Sequence, residues 1–210
     1  LTTSSFLEGY YYKPRIDREL LAKHSEGLIC LSACLNGEIN EQILGKKEKE
    51  AEAVARTYKE LFGDDFFLEL QDHGMDEQRL ANDVLRRLAT KLSLPMVVTN
   101  DAHYLKKDDA FAHDVLLCIG TQKSFADPDR LKYASDQFYM KTAAEMHAIF
   151  AFDGPAIENT VAIAERCHLD VTMGQFHLPQ FPVPGGSTLD AYPAGVAREG
   201  LDERLAEQRR

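Results

Sequence analysis

Three times in succession the chain runs an apolar, β-prone stretch into a helical one, and this alternation constrains its fold more than any other feature. The first unit is the run 27–32, a segment over 36–44 and a charged helix over 46–62. The second is the strand 66–70 followed by a helix over 76–92, where Leu80, Val84, Leu85, Leu88 and Leu92 keep a 3.6-residue period. The third is the strand 95–99 with a helix over 108–119. Such alternation predicts parallel strands joined by right-handed crossovers, hence an α/β barrel or open sheet. Three units are too few to close a barrel. The chain also opens on Leu1 and ends in a charged helical stretch, so it reads as a fragment with the rest of a barrel upstream.

After Gly120 the texture changes. Residues 124–133 read as a polar loop with a turn at Asp127–Pro128, and 138–140 as a short strand. Helices are expected over 142–150 and 155–167, the second with Pro155 in its first turn. The Pro- and Gly-rich stretch 178–186 is an extended linker, and 188–210 is an amphipathic helix interrupted at Pro193.

At 210 residues, 44% of them hydrophobic and 28% charged, the chain can bury one sizeable core, or one domain and part of another. No apolar run approaches the roughly 18 residues of a membrane span, and no signal peptide is present, so no membrane association is expected. A net charge of −10 argues against a broad nucleic-acid-coating surface. It leaves room for an acidic metal site, or for a module within a larger nucleic-acid enzyme. The cysteines Cys30, Cys34, Cys118 and Cys167 have neither zinc-finger nor redox C-x-x-C spacing, which fits a reduced, cytoplasmic setting. Cys30, Cys118 and Cys167 lie in apolar runs and are expected in the core.

In parallel α/β proteins chemistry collects at the C-terminal ends of strands. The third strand ends at Asp101 and His103, a hard oxygen and a borderline nitrogen, a mixture that suits Zn or Mn. The plainer alternative is a helix-capping Asp101 beside a surface His103. The first strand ends at Cys34, a candidate thiolate ligand or else a small buried hydrophobe. The second ends at Glu69, Gln71 and His73. Glu69 and Gln71 share one strand face, and His73 is a candidate ligand or acid–base group. The competing expectation makes Glu69 a hydrogen-bond hub and His73 a cap for the following helix. His113 lies on a helix, whereas His24, His147, His168 and His177 belong to no constellation. The stretch from Tyr10 to Arg15, with Tyr12, Lys13 and Arg15, can stack bases and hold phosphates, or can pack as an aromatic patch. The charged run 46–50 is a solvated helix face. There is no phosphate-binding glycine loop, Ser/His/Asp arrangement or dinucleotide fingerprint.

Several longer strings carry a resemblance: FLEGYYYKPR at 6–15, EGLICLSACLNGE at 26–38, FLELQDHG at 67–74 and TNDAHYL at 99–105. HDVLLCI at 113–119, IAERC at 163–167 and LPQFPVP at 178–184 complete the set, in order along nearly the whole chain. In these strings the chain resembles the bacterial DNA polymerase III alpha-subunit family, the C-family replicative polymerases. The resemblance implies an α/β fold: part of a PHP (polymerase and histidinol phosphatase) distorted β/α barrel, followed by a mostly helical connector into the polymerase core. The implied divisions are 1–122 for the C-terminal part of the PHP domain, 123–177 for the connector, and 178–210 for a linker and the first core helix.

The resemblance also implies a metal cluster of Zn or Mn in the PHP domain, with Cys34, Asp101 and His103 as ligands and the others upstream. Glu69, His73 and His113 are then candidates to orient those ligands, and Tyr12, Lys13 and Arg15 candidates for DNA contact. The implied activity is DNA-directed DNA polymerisation in the parent protein, with 3′–5′ exonuclease proofreading by metal-assisted phosphodiester hydrolysis. Polymerase catalytic residues, with their Mg, are expected beyond Arg210, and the fragment alone is expected to be inactive. The implied partners are primer–template DNA, dNTPs, the sliding clamp, other replisome subunits and a separate exonuclease subunit, in the nucleoid-associated replisome of the bacterial cytoplasm. Two alternatives stand beside this reading: a silent PHP scaffold that docks a separate proofreading subunit, and a free-standing PHP phosphoesterase. Pro193 departs from the family, which usually runs a helix through that stretch.

Overall fold

In the computed structural model, which describes every residue except 177, 179, 180 and 210, the strands of the three alternating units form one parallel sheet. His177, Pro179 and Gln180, within or beside the expected linker, and Arg210 thus lie outside the described residues. The chain divides into two compact units, Leu1–His168 and Leu169–Arg210.

The sheet of the first unit has the order β1 (Cys30–Leu31), β2 (Phe66–Leu70), β3 (Met96–Val98). Cys30 stands opposite Phe66, and Leu68, Glu69 and Leu70 stand opposite Met96, Val97 and Val98. All three C-terminal ends therefore lie at one edge. Helices α3 (Glu38–Leu44) and α4 (Glu48–Phe62) connect β1 to β2, and α5 (Asp76–Leu92) connects β2 to β3. Every residue of β2 is buried, as expected for the strand flanked on both sides. Phe66, Leu68 and Leu70 pack with Leu85, Leu88 and Leu92 of α5, Ala51 and Ala55 of α4, and Ile39 and Ile43 of α3. Ala51 and Ala55, one turn apart and both 0% exposed, let α4 approach closely.

Two short helices, α1 (Thr2–Leu7) and α2 (Arg18–Lys23), precede the sheet where the sequence offered only a tyrosine cluster. Asp17 caps α2, its side chain accepting from the Leu20 N–H at 2.8 Å. After β3 come α6 (Ala110–Thr121), α7 (Ala143–Ile149) and α8 (Gly154–Arg166), each within two residues of its expected span. The expected strand at 138–140 is realised as a single parallel bridge between Tyr104 and Tyr139.

Helix α8 lies against β3, and the Asn159 side-chain amide donates to the Met96 carbonyl at 2.8 Å. Before α8, the Asp153 carboxylate (5% exposed) grips Arg86 of α5 through two bonds of 2.9 and 2.7 Å. Asp153→Ala leaves a half-buried guanidinium without its bidentate partner. It is expected to destabilise the fold by about 1.5–3 kcal/mol in urea titration.

Helix α7 starts with a capping box. The Thr142 N–H donates to Glu145 Oε2 at 2.7 Å, and the Glu145 N–H donates to the Thr142 hydroxyl at 3.3 Å. The Tyr139 hydroxyl donates to the other Glu145 oxygen at 2.6 Å. Tyr139, then the Thr142 N–H and hydroxyl, hold the Glu145 carboxyl down at about 2 instead of its ordinary 4.5. A depressed carboxylate stabilises the fold fully above its unfolded value and loses that contribution as pH falls through the folded one. The stability gap between the native chain and Glu145→Gln is therefore expected to close between about pH 4.5 and pH 2, read as converging urea midpoints.

In the second unit, α9 (Ala191–Gln208) is one uninterrupted helix. Pro193 does not break it, because the proline sits in the first turn, where N–H groups have no acceptor within the helix. The expected amphipathicity is also absent, for its apolar residues do not gather on one face. Among the described residues of the linker, Pro184–Gly186 form a 3-10 turn, with Gly185 at φ 69° and Gly186 at φ 70°.

Candidate functional site

The strand ends are held together by one buried carboxylate. Glu69, near the end of β2 and 9% exposed, accepts from the Ala33 N–H at 3.1 Å and from Gln71 Nε2 at 2.9 Å. It also accepts from the Thr99 hydroxyl. Its own N–H donates to Ser32 Oγ at 2.8 Å. Glu69 thus links the residues after β1, β2 and β3, which bears out the hub expectation.

The turn after β1 carries Cys34. Ala33 adopts φ 64°, and Asn40 of α3 donates through Nδ2 to the Cys34 carbonyl at 3.0 Å. Gly37 is required here for space, since a Cβ would stand 2.3 Å from the Ser32 carbonyl oxygen. Cys34 is half-buried and lines a small cavity with Asn40, Glu69 and Gln71.

His73 is 1% exposed, and both of its ring nitrogens are engaged. Nε2 lies 2.7 Å from the Asn100 carbonyl, which assigns it the proton. Nδ1 accepts from Gln78 Nε2 at 2.8 Å, while the His73 N–H donates to Gln78 Oε1 at 2.7 Å. Its ring stacks on Phe138 at 4.3 Å. His73 therefore has no free nitrogen for a ligand. It does not cap α5 either, since Met75 holds that position. It fastens the peptide just before Asp101.

Asp101 and His103 follow β3. Asp101 adopts φ 46°, a left-handed conformation that Asp tolerates, and its Oδ1 lies 3.3 Å from His103 Nε2. Both side chains are about one-third exposed, at 37% and 36%. The His103 N–H donates to the Phe138 carbonyl at 2.7 Å, which fixes the backbone here. Above the His103 ring lies the Tyr133 hydroxyl, 3.2 Å from Nδ1 and 3.3 Å from Nε2. Burial, then the Asp101 charge, push the Tyr133 hydroxyl up, so it remains a donor. His113 of α6 packs its ring 5.8 Å from His103 and 5.1 Å from Tyr133. The loop bearing Tyr133 is pinned by Arg130, which pairs with Asp114 of α6 and covers the Phe125 ring at 4.5 Å. A cleft of about 320 Å³ beside this group is lined by Tyr104, Phe111, His113, Lys132, Tyr133 and Asp136.

The structure thus brings Asp101, His103 and His113 into one neighbourhood, and places Cys34 beside Glu69 in another. No three His, Cys, Asp or Glu residues form a metal-holding group among the described residues. Burial drives the Cys30 thiol up to about 11. Cys118 is buried as expected, but Cys167 is exposed, because α8 ends one residue before it. Sequence reasoning missed Tyr133, Thr99 and Gln78. Their partners lie 30, 30 and 5 residues away, and no local pattern marks Tyr133 in its polar loop.

At the N-terminus, Tyr12 is 80% exposed at φ 59°, in a tight turn where the Tyr11 N–H donates to the Lys13 carbonyl at 3.1 Å. The Arg15 guanidinium lies over the Tyr11 ring at 5.3 Å. Tyr12, Lys13 and Arg15 are all exposed, and form an aromatic and basic surface.

A model of the PHP domain matches residues 1–73. Over 208 residues the chain is 44% identical to the DNA polymerase III subunit alpha of Treponema pallidum, covering 98% of this chain and 18% of that protein. It is 42% identical to the protein of the same name from Deinococcus radiodurans, covering 90% of this chain and 15% of the relative. The one from Thermus aquaticus is also 42% identical, over 99% of this chain and 18% of the relative. The chain thus spans less than a fifth of the length of these relatives.

Proposed function

Because the chain belongs to the DNA polymerase III alpha-subunit family and has a partial PHP-type α/β fold, we propose that it serves a replicative polymerase as part of a metal-dependent 3′–5′ exonuclease site. The observation that carries this reading is the Asp101–His103 pair at the end of β3, 3.3 Å apart and open to solvent. Its oxygen-and-nitrogen donor set fits Zn or Mn. Cys34 is the third candidate ligand, and the remaining ligands come from outside this chain.

The surrounding residues act on the peptides that carry these ligands. Glu69 holds the Ala33 N–H next to Cys34, and the Thr99 hydroxyl two residues before Asp101. His73 holds the Asn100 carbonyl, while His113 and Tyr133 set the plane of the His103 ring. Divalent cations at such a site supply positive charge to a scissile phosphate and activate water for its hydrolysis. That local charge lets an acidic chain act on DNA. Tyr12, Lys13 and Arg15 offer a stacking and phosphate-binding surface for the strand.

The proposed division is the C-terminal part of the PHP domain over 1–122, a helical connector over 123–177, and a linker with the first core helix over 178–210. Polymerisation, with its Mg, belongs to the longer parent protein, together with primer–template DNA, dNTPs, the sliding clamp and other replisome subunits in the bacterial cytoplasm. No helix among the described residues is long and apolar enough to cross a membrane.

The test uses the full-length parent protein. Trimming of a mismatched primer end with Mn or Zn is expected to fall to background in Asp101→Ala and in His103→Ala, while primer extension persists. A second reading is a PHP scaffold that docks a separate exonuclease subunit. Wild-type protein that shows no metal-dependent trimming would establish that reading instead.

A further inference from the structure

Two amide oxygens, one on helix α3 and one just after β2, are buried and accept no hydrogen bond from the described residues: Asn40 Oδ1 and Gln71 Oε1. Asn40 is 3% exposed and Gln71 is 8% exposed. Neither amide can be turned around to remove the problem. Asn40 Nδ2 is spent on the Cys34 carbonyl at 3.0 Å and the Ala33 carbonyl at 3.4 Å. Gln71 Nε2 is spent on Glu69 Oε1 at 2.9 Å and the Thr99 hydroxyl at 3.1 Å. A flipped amide would set its oxygen against carbonyl or carboxylate acceptors. Both residues line the same small cavity of about 10 Å³, beside Cys34 and Glu69.

A buried acceptor left unpaired costs about 1–3 kcal/mol, and native proteins leave few of them. A cavity of this size holds one water and excludes a hydrated ion or any organic fragment. Two unpaired acceptors on residues that line one such space call for an occupant with two donors.

We propose that this cavity is a binding site for a single water molecule, which donates one proton to Asn40 Oδ1 and the other to Gln71 Oε1. The water joins helix α3 to the end of β2. Through Asn40 it ties the turn that carries Cys34 to the Gln71–Glu69–Thr99 network, and so to the end of β3. This assignment stands independently of the metal reading, since it rests on the two unpaired oxygens and the small space that their residues line.

The test is a crystal structure of the full-length protein that resolves ordered waters, with a second crystal soaked in thallium(I). The expected result is one density peak at about 2.5–3.0 Å from both oxygens, with no anomalous signal after the soak. In Gln71→Met the same peak should be lost. An empty cavity, or a peak bonded to one oxygen only, overturns the proposal. A thallium signal overturns it in favour of a dehydrated monovalent cation. Should Gln71→Met fail to fold, the wild-type maps decide alone.

Discussion

Glu69→Ala is expected to destabilise the fold by about 3–5 kcal/mol, because it removes one acceptor from three donors at once. The Ala33 N–H, Gln71 Nε2 and the Thr99 hydroxyl all converge on this carboxylate. Each donor left buried costs about 1–3 kcal/mol, with water relieving those nearest the surface. Glu69→Gln keeps the shape and one acceptor oxygen, so it should lose less than half as much. The urea midpoints of the two variants check the ranking. Equal losses would mean that the negative charge, rather than the convergence of donors, holds the strand ends. The substitution should also loosen the Cys34 turn and the approach to Asp101 together, since Glu69 is bonded to both segments.

Phe66→Ala should rank beside it, at about 3–5 kcal/mol. Phe66 is 0% exposed, stands opposite Cys30 across the β1–β2 pairing, and stacks on Tyr58 of α4 at 5.4 Å. Truncation opens a cavity between the sheet and α4, where Ala51 and Ala55 have no length with which to fill it. Phe6→Ala, at a side chain 57% exposed, should change stability by no more than about 0.5 kcal/mol. A loss at Phe66 below about 1 kcal/mol would show that α4 can slide inward to close the gap.

The parts of this fold legible from sequence are those where periodicity and burial agree. Helix α5 spans the expected residues because Leu85, Leu88 and Leu92 repeat on one face, and that same face meets Leu68 and Leu70. The parallel order followed from strand–helix alternation alone. Pro193 was misread because a proline's effect depends on its place in the helix, and the helix start at Ala191 has no strong signal. Helices α1 and α2 escaped notice because each has six residues, too few to show a period. At the site, the shared face of Glu69 and Gln71 was visible, and became a 2.9 Å hydrogen bond. The commitment of both His73 nitrogens was not visible, since it needs Asn100, 27 residues away. Tyr133 over His103 is likewise a product of the Arg130 anchor, which no local pattern announces.

The bond from Asn159 to the Met96 carbonyl has a consequence in time. The two residues are 63 apart in sequence, so the outer edge of β3 exists before the helix that covers it. At the usual 5–20 residues per second of synthesis, that edge waits about 3–13 s for α8. An uncovered strand edge is open to mispairing with other chains throughout that interval. How long this edge stays open during synthesis is therefore set by the pace of translation, and by how soon α8 leaves the ribosome.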